Sequence, residues 1–248
     1  MAKKSGLGQQ LFVHGYDLSG DVAAISNASS PRGVLDVTPI NASAYERVLG
    51  LSDGNLAVTS WFNDATEQEH AAFSELPTTD RIVTWTFGAT RGDVAACLVA
   101  KQVNYDGTRG SDGGLSFSVD TQAASGVSLD WGNTLTTGKE THSAAAVSPS
   151  RDDGATTGYG LVGILQTVDV DSGTATVSIQ QSSDNVTFAT ILSFVAVAAA
   201  AAPTAQRLTL SGAILRYLRV STTGTFSNCD FCMVTRRGTA QDDVNLNA

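Results

Sequence analysis

Residues 157–240 break into short runs rich in Val, Ile, Leu, Thr and Tyr, separated by clusters of Gly, Ser, Asp and Asn: GLVGILQTVDV, GTATVSIQQSSDNVTFATILSF, QRLTLSG, ILRYLRVSTTG and NCDFCMVTRR. Strand-length runs with regular turn signals and no 3.6-residue period restrict this stretch to an all-β unit, a sandwich of immunoglobulin-like or jelly-roll type. Ahead of it, residues 139–156 hold almost no large apolar residue and read as a linker. Residues 1–138 form a first β unit behind an N-terminal arm that carries Lys3, Lys4, Gly6 and Gly8, and residues 241–248 read as a loose tail.

Within the first unit the expected strands are Gln10–Val13, Val34–Thr38, Leu56–Phe62, Arg81–Phe87, Val94–Asp106, Leu115–Ala123 and Val127–Gly132. The run Val94–Asp106 is long enough to need a twist or a bulge. Two short helices are expected between strands. NASAYERVLG has Asn41 as N-cap, Tyr45, Val48 and Leu49 on one face and Gly50 as its stop. DATEQEHAAFSELP has Asp64 as N-cap, Glu67 at the capping-box position and Pro77 as its end. The fold class that follows is mainly β with a flanking short helix.

Charged residues are only 16 % of the chain, which suits a subunit whose faces are largely covered by neighbours. The net charge of −9 disfavours docking onto phosphates. It is uneven: residues 1–140 hold 9 Lys/Arg against 16 Asp/Glu, a net of −7, and residues 141–248 hold 6 against 8, a net of −2. The longest apolar run, Phe194–Ala202, is about half of a membrane span, so no membrane role is expected. No apolar core follows the basic start of MAKKSGLGQQLF, so no signal peptide is expected. Cys97, Cys229 and Cys232 cannot close a disulfide framework, and the lone CxxC lacks a second pair for zinc. On a strand, Cys229 and Cys232 would face opposite sides and serve as small buried hydrophobes. Unbridged thiols fit synthesis in a reducing cytoplasm.

The stretch VNYDGTRGSDGGLSFSV (Val103–Val119) looks most like a ligand site. A phosphate loop would be followed by a helix and a Lys-Ser/Thr pair, and here a strand follows. A calcium loop would need a distal bidentate glutamate, which is missing. What remains is a long hairpin with Asp-Gly and Gly-Gly turns at its tip. His14, His70 and His142 lack metal-ligand spacing, and no nucleophile signature occurs. No cofactor, metal or catalytic residue is nominated.

Three segments together resemble the major tail tube proteins of long-tailed bacteriophages: LFVHGYDLSGDVAAIS, VLDVTPINASAYERVLGLSDGNLAVTSWF and CLVAKQVNYDGTRGSDGGLSFSV, with SLDWGNTLTTG closing the pattern. The resemblance covers most of residues 7–138, in the family's order. It implies a tail-tube-type β-sandwich or barrel with a flanking helix, and a non-enzymatic subunit of hexameric rings that stack into a hollow tube. The implied partners are copies of the chain itself, a tape-measure protein and tail-completion proteins. DNA would pass through the lumen without specific binding, and the protein would reside in the virion tail after synthesis in the host bacterial cytoplasm. Asn104, Tyr105, Asp106, Arg109 and Asp112 become candidates for subunit assembly, with Arg109 expected to pair with an acid of an adjacent subunit. The second unit resembles the add-on sandwiches of phage structural proteins. A capsid decoration, a tail-tip protein or a glycan-binding module is the alternative.

Overall fold

The structure, a computed structural model, describes residues 5–239. Lys3, Lys4 and the tail 241–248 lie outside the described residues. Strands hold 55 % of the chain and helix 3 %, so the mainly β expectation holds. The first half contains β1 (Gln10–Val13), β2 (Tyr16–Asp17), β3 (Val22–Ser29), β4 (Arg32–Asp36), β5 (Arg47–Ser52), β6 (Asn55–Trp61), α1 (Glu69–Phe73), β7 (Arg81–Thr86), β8 (Val94–Gln102), β9 (Asp106–Arg109), β10 (Leu115–Ala123) and β11 (Asp130–Thr134). There follow β12 (Glu140–His142), β13 (Arg151–Asp152), β14 (Leu161–Ser182), β15 (Ala189–Ser193), β16 (Val197–Ala198), β17 (Thr204–Leu210) and β18 (Tyr217–Arg237).

All strand pairs are antiparallel, and one hydrogen-bonded path runs β15-β14-β18-β11-β8-β10-β6-β3. The two expected β units are therefore bonded to each other: β11 pairs with β8 along Asp130–Asn133 and with β18 at Asn133 and Thr134. The expected linker, residues 139–156, carries β12 and β13, and both pair with β18.

Three apolar clusters explain why several runs carry no polar alternation. On β8, Ala96, Leu98 and Ala100 face a first core with Leu11, Leu56, Phe73 and Val119. Ala95 and Cys97, one residue out of phase, face a joint core with Phe12, Ile82, Val162, Ile164, Cys232 and Val234. β18 behaves likewise, Phe231 and Met233 entering a C-terminal core while Cys232 and Val234 enter the joint core. A strand buried on both faces reads as a continuous apolar run. Cys229 and Cys232 lie in different clusters, as a strand separation of three requires, and both are fully buried.

Polar groups also cross the seam. Gln166 on β14 is fully buried; its Nε2 donates to the Ile82 carbonyl at 3.0 Å and to Thr84 Oγ1 at 2.9 Å, and its Oε1 accepts from the Gly15 amide at 2.7 Å. A buried amide with its partners met is stabilising, whereas an unmet one is costly. Asp130 on β11 accepts from Arg236 Nη1 at 2.8 Å and lies 3.1 Å from Arg207 Nη2, so one carboxylate of the first half holds two guanidiniums of the second.

Several local expectations are corrected. The segment Asn41–Gly50 is not helical: Arg47–Ser52 is strand β5, paired with β4 so that Val34 meets Leu49 and Leu35 meets Val48. Cross-strand pairing of branched side chains outweighs the weak propensity of a segment too short to nucleate a helix alone. The second helix is only Glu69–Phe73, with Gln68 rather than Asp64 at its N-cap. Glu67 sits at φ +61° and cannot occupy a helical turn. The Glu69 amide is instead met by Asp21 Oδ2 at 3.1 Å, a cap supplied from 48 residues away. The runs read as separate strands on either side of Gly173 and of Gly224 are continuous parts of β14 and β18. These glycines have φ +79° and +113°, and a Cβ on either would overlap a backbone carbonyl oxygen of the facing strand, Thr225 or Thr174. Here glycine marks close backbone approach within a ladder, not a turn.

Candidate assembly surface

The stretch Val103–Val119 is a hairpin, and its strand does bulge. β10 pairs with β9 as Ser118↔Asp106 and with β8 as Thr121↔Gln102, so three residues, Val103, Asn104 and Tyr105, oppose two, Val119 and Asp120. Asn104 repairs the interrupted ladder: its Oδ1 accepts from the Asp120 amide at 2.7 Å, and its Nδ2 donates to Asp106 Oδ2 at 2.8 Å. Tyr105 turns inward. It stacks on Phe117 with ring centroids 4.2 Å apart, and its hydroxyl donates to Glu69 Oε2 at 2.9 Å. Ser60 Oγ donates to Glu69 Oε1 at 2.8 Å, so this fully buried carboxylate has a donor on each oxygen. Burial, then the bond to Glu69, pushes the Tyr105 hydroxyl well above the usual tyrosine range. Asn104 and Tyr105 thus serve the hairpin's own geometry. Asp106, Arg109 and Asp112 are exposed, and Asp112 Oδ1 accepts from the Gly114 amide at 3.0 Å to close the tip.

A broad uncovered apolar surface lies elsewhere. β4 and β5 form a separate two-stranded sheet, here called the spur, bearing exposed Val34, Leu35, Val37, Ile40, Tyr45, Val48, Leu49 and Leu51. An isolated two-stranded hairpin is marginal in water, and a contiguous apolar surface of this kind marks an interaction site. Sequence alone points to one arm of the spur, the strand expected at Val34–Thr38, but hides the hairpin because Asn41–Gly50 carries helical spacing. At the far end of β6 three more apolar residues are exposed, Trp61 on one side of the strand and Phe62 with Leu115 on the other.

The outward face of β6 and β10 is different. The cross-strand pairs Ser118↔Thr59, Asp120↔Ala57 and Gln122↔Asn55 place small neutral groups there with one charge, the acidic Asp120. On β8, Lys101 stands beside Gln122 on the same side, with its ammonium neutralised by Asp80 at 2.6 Å.

One cluster has the residue types of a nucleophilic triad. His142 Nε2 is 3.2 Å from both Ser148 Oγ and Glu140 Oε1, while Nδ1 is 2.7 Å from Thr222 Oγ1. A triad needs the carboxylate on the opposite ring nitrogen, and here the acid and the serine compete for the same one. Ser148 and His142 are also buried. The cluster ties β12 to β18. Burial works to raise the Glu140 carboxyl, but bonds from His142, Ser148 and the Thr137 amide, with the Arg91 guanidinium, hold it at about 2, below its ordinary 4.5. A depressed acid stabilises the fold above its unfolded value and loses that contribution as pH falls toward the folded one. Wild-type stability should therefore drop between about pH 4.5 and pH 2 more steeply than that of Glu140→Gln, measured by urea unfolding across that range. Parallel curves for the two proteins would contradict this assignment.

Among the described residues no group of three or more His, Cys, Asp or Glu is placed to hold a metal ion, and no helix is long and apolar enough to cross a membrane. No protein-family model matches the chain, and no curated protein matches it. Solved structures do. A chain from the virion of a native gene transfer agent particle is similar at TM-score 0.42 and 14 % identity, covering 52 % of this chain and 98 % of that one. The SPP1 Dit protein, described as a paradigm of the hub adsorption apparatus in phages that infect Gram-positive hosts, is similar at TM-score 0.32 and 11 % identity, covering 92 % and 99 %. A chain of the phage p2 baseplate in its activated conformation gives TM-score 0.32 and 8 % identity, covering 93 % and 98 %. Likeness at this level does not carry a function from one chain to another.

Proposed function

We propose that this chain is a structural subunit of a bacteriophage tail tube, located in the virion, which associates with copies of itself as hexameric rings stacked around a channel for DNA. The observation that carries the reading is the spur, an apolar hairpin that the rest of the chain leaves uncovered and that a permanent protein neighbour would bury. The sequence resemblance over residues 7–138 supplies the kind of assembly. Two further features support it. The uncharged edge strand β3, VAAISNAS, lacks the charges and prolines that blunt free edges, so it is suited to pairing with a neighbour's strand. The outward face of β6 and β10, neutral or acidic, suits a channel wall along which a polyanion slides without sticking.

In this reading residues 1–138 build the ring and residues 157–240 form an added outer sandwich, with 139–156 between them. Asp106, Arg109 and Asp112 at the hairpin tip are contact residues toward an adjacent subunit. Tape-measure and tail-completion proteins are the further partners. Negative-stain images of the purified protein test the proposal: tubes of stacked sixfold rings are expected. Monomers or isolated trimers at every concentration would overturn it.

A further inference from the structure

Four aspartates precede a glycine: Asp53, Asp106, Asp112 and Asp153. A glycine in that place leaves its amide nitrogen unshielded, because no side chain stands beside it and its backbone turns freely. The nitrogen can then attack the carboxyl carbon of the aspartate before it. The fold decides which of the four pairs has that freedom. Gly54 is buried, and a Cβ there would lie 2.8 Å from Leu98 Cδ1, so packing fixes its backbone. Gly107 sits in the β9–β10 ladder opposite Phe117, which keeps Asp106 extended. Asp153 is gripped by Arg151 at 2.7 and 3.1 Å, and the Gly154 amide donates to Asp152 Oδ1 at 2.8 Å.

The fourth pair is open. Asp112 and Gly113 are exposed and lie outside the strands, at the tip between β9 and β10. The Gly114 amide donates to Asp112 Oδ1 at 3.0 Å, closing a ring that contains the Gly113 nitrogen and folds the carboxyl back over it. The Gly113 amide itself donates only to the Gly110 carbonyl, at 3.1 Å within the same turn. We propose that Asp112 is a self-modification site, where the chain converts to an isoaspartyl linkage. The Gly113 nitrogen bonds to Asp112 Cγ, and one carboxyl oxygen leaves as water, taking the amide proton. A solvent water then adds to the Asp112 main-chain carbonyl carbon and breaks its bond to the Gly113 nitrogen. Nothing is oxidised or reduced, and the mass is unchanged. The main chain now runs through Cβ and Cγ and is one atom longer. That atom shifts the tip, where the Gly110 amide and the Gly114 carbonyl now meet at 2.7 Å. Resting on the reading that this tip touches an adjacent subunit, the reaction is a clock that retires free subunits from assembly.

The purified protein is held at neutral pH and body temperature for several weeks, then digested and mapped by fragmentation that separates aspartyl from isoaspartyl residues. Isomer at Asp112 is expected to exceed that at Asp53, Asp106 or Asp153 by roughly tenfold or more, the factor set by a local opening of about 1.4 kcal/mol. In the urea-unfolded chain the four rates should converge, since the fold no longer separates them. Equal yields at the four sites of the folded protein, or a higher yield at another of them, would overturn the assignment. In a partly aged sample the isomer should be roughly tenfold scarcer in sedimented tubes than in the supernatant. Equal proportions in the two fractions would overturn the clock. Absence of tubes from fresh, unmodified protein would instead strike the tail-tube reading and leave the chemistry at Asp112 standing, which keeps the failures apart.

Discussion

Replacing Asp130 by alanine is expected to cost about 3–5 kcal/mol of folding stability, the usual loss when one partner leaves a buried ion cluster. Asp130 is 4 % exposed, and its two oxygens hold Arg236 at 2.8 Å and Arg207 at 3.1 Å. Removing the carboxylate leaves the Arg207 guanidinium buried opposite no anion. The partners come from β11, β17 and β18, and β11 also pairs with β8, so the loss should be felt by the whole chain. Urea unfolding of wild type and variant would read it as a shift of one common transition. A change below about 1 kcal/mol would mean that water reaches the cluster and screens it, as at surface pairs.

The second large effect is expected at Gly15. This residue closes the two-residue turn between β1 and β2, with His14 at φ +51° and Gly15 at φ +94°. Alanine there would adopt a left-handed conformation that costs about 1–2 kcal/mol on its own. Its Cβ would also lie 2.6 Å from the Thr167 carbonyl oxygen and overlap the Thr204 amide nitrogen, both backbone atoms that cannot rotate away. Overpacking of this kind adds about 1–3 kcal/mol. A total of about 2–5 kcal/mol is expected for Gly15→Ala, against about 1–2 kcal/mol for Gly126→Ala, whose φ is +68° but whose Cβ meets nothing within 4 Å. Equal losses at the two sites would place the cost in the backbone conformation alone. The comparison isolates the contact between the β1–β2 turn and the strand β14 that arrives 150 residues later.

Much of the strand inventory was legible because period-two burial leaves its mark in each run. Gln10–Val13 and Leu115–Ala123 are strands over the expected residues, and the bulge expected in Val94–Asp106 is present. The hairpin pairing of Leu115–Ala123 with Val94–Asp106 was legible as well, but the partners farther off in the chain were not. Alternation tells which residues share a face, but not that Phe12, Cys97 and Cys232 from distant segments meet in one core. The two helical expectations failed for a related reason. Asn41–Gly50 contains i, i+3 and i+4 apolar spacings by chance of length, and only the facing strand Arg32–Asp36 decides its state. At Glu69 the cap comes from Asp21, so local spacing pointed to the wrong residue. The candidate site was legible in part. Asn104 and Tyr105 stood out through a family pattern, yet the structure shows them bracing the bulge and the buried Glu69, while the broad uncovered surface is the spur.

The pairing of β14 with β18 has a mechanical side. The two strands share twenty residue pairs between Leu161↔Arg237 and Ser182↔Tyr217. A pull along the strand axis on the far end of this ribbon loads those bonds together, in shear. β18 meets β11 through only two pairs, Asn133↔Thr235 and Thr134↔Val234. A sideways pull on the ribbon is therefore borne by the joint core, the Gln166 bonds and the Asp130 cluster rather than by a long backbone ladder.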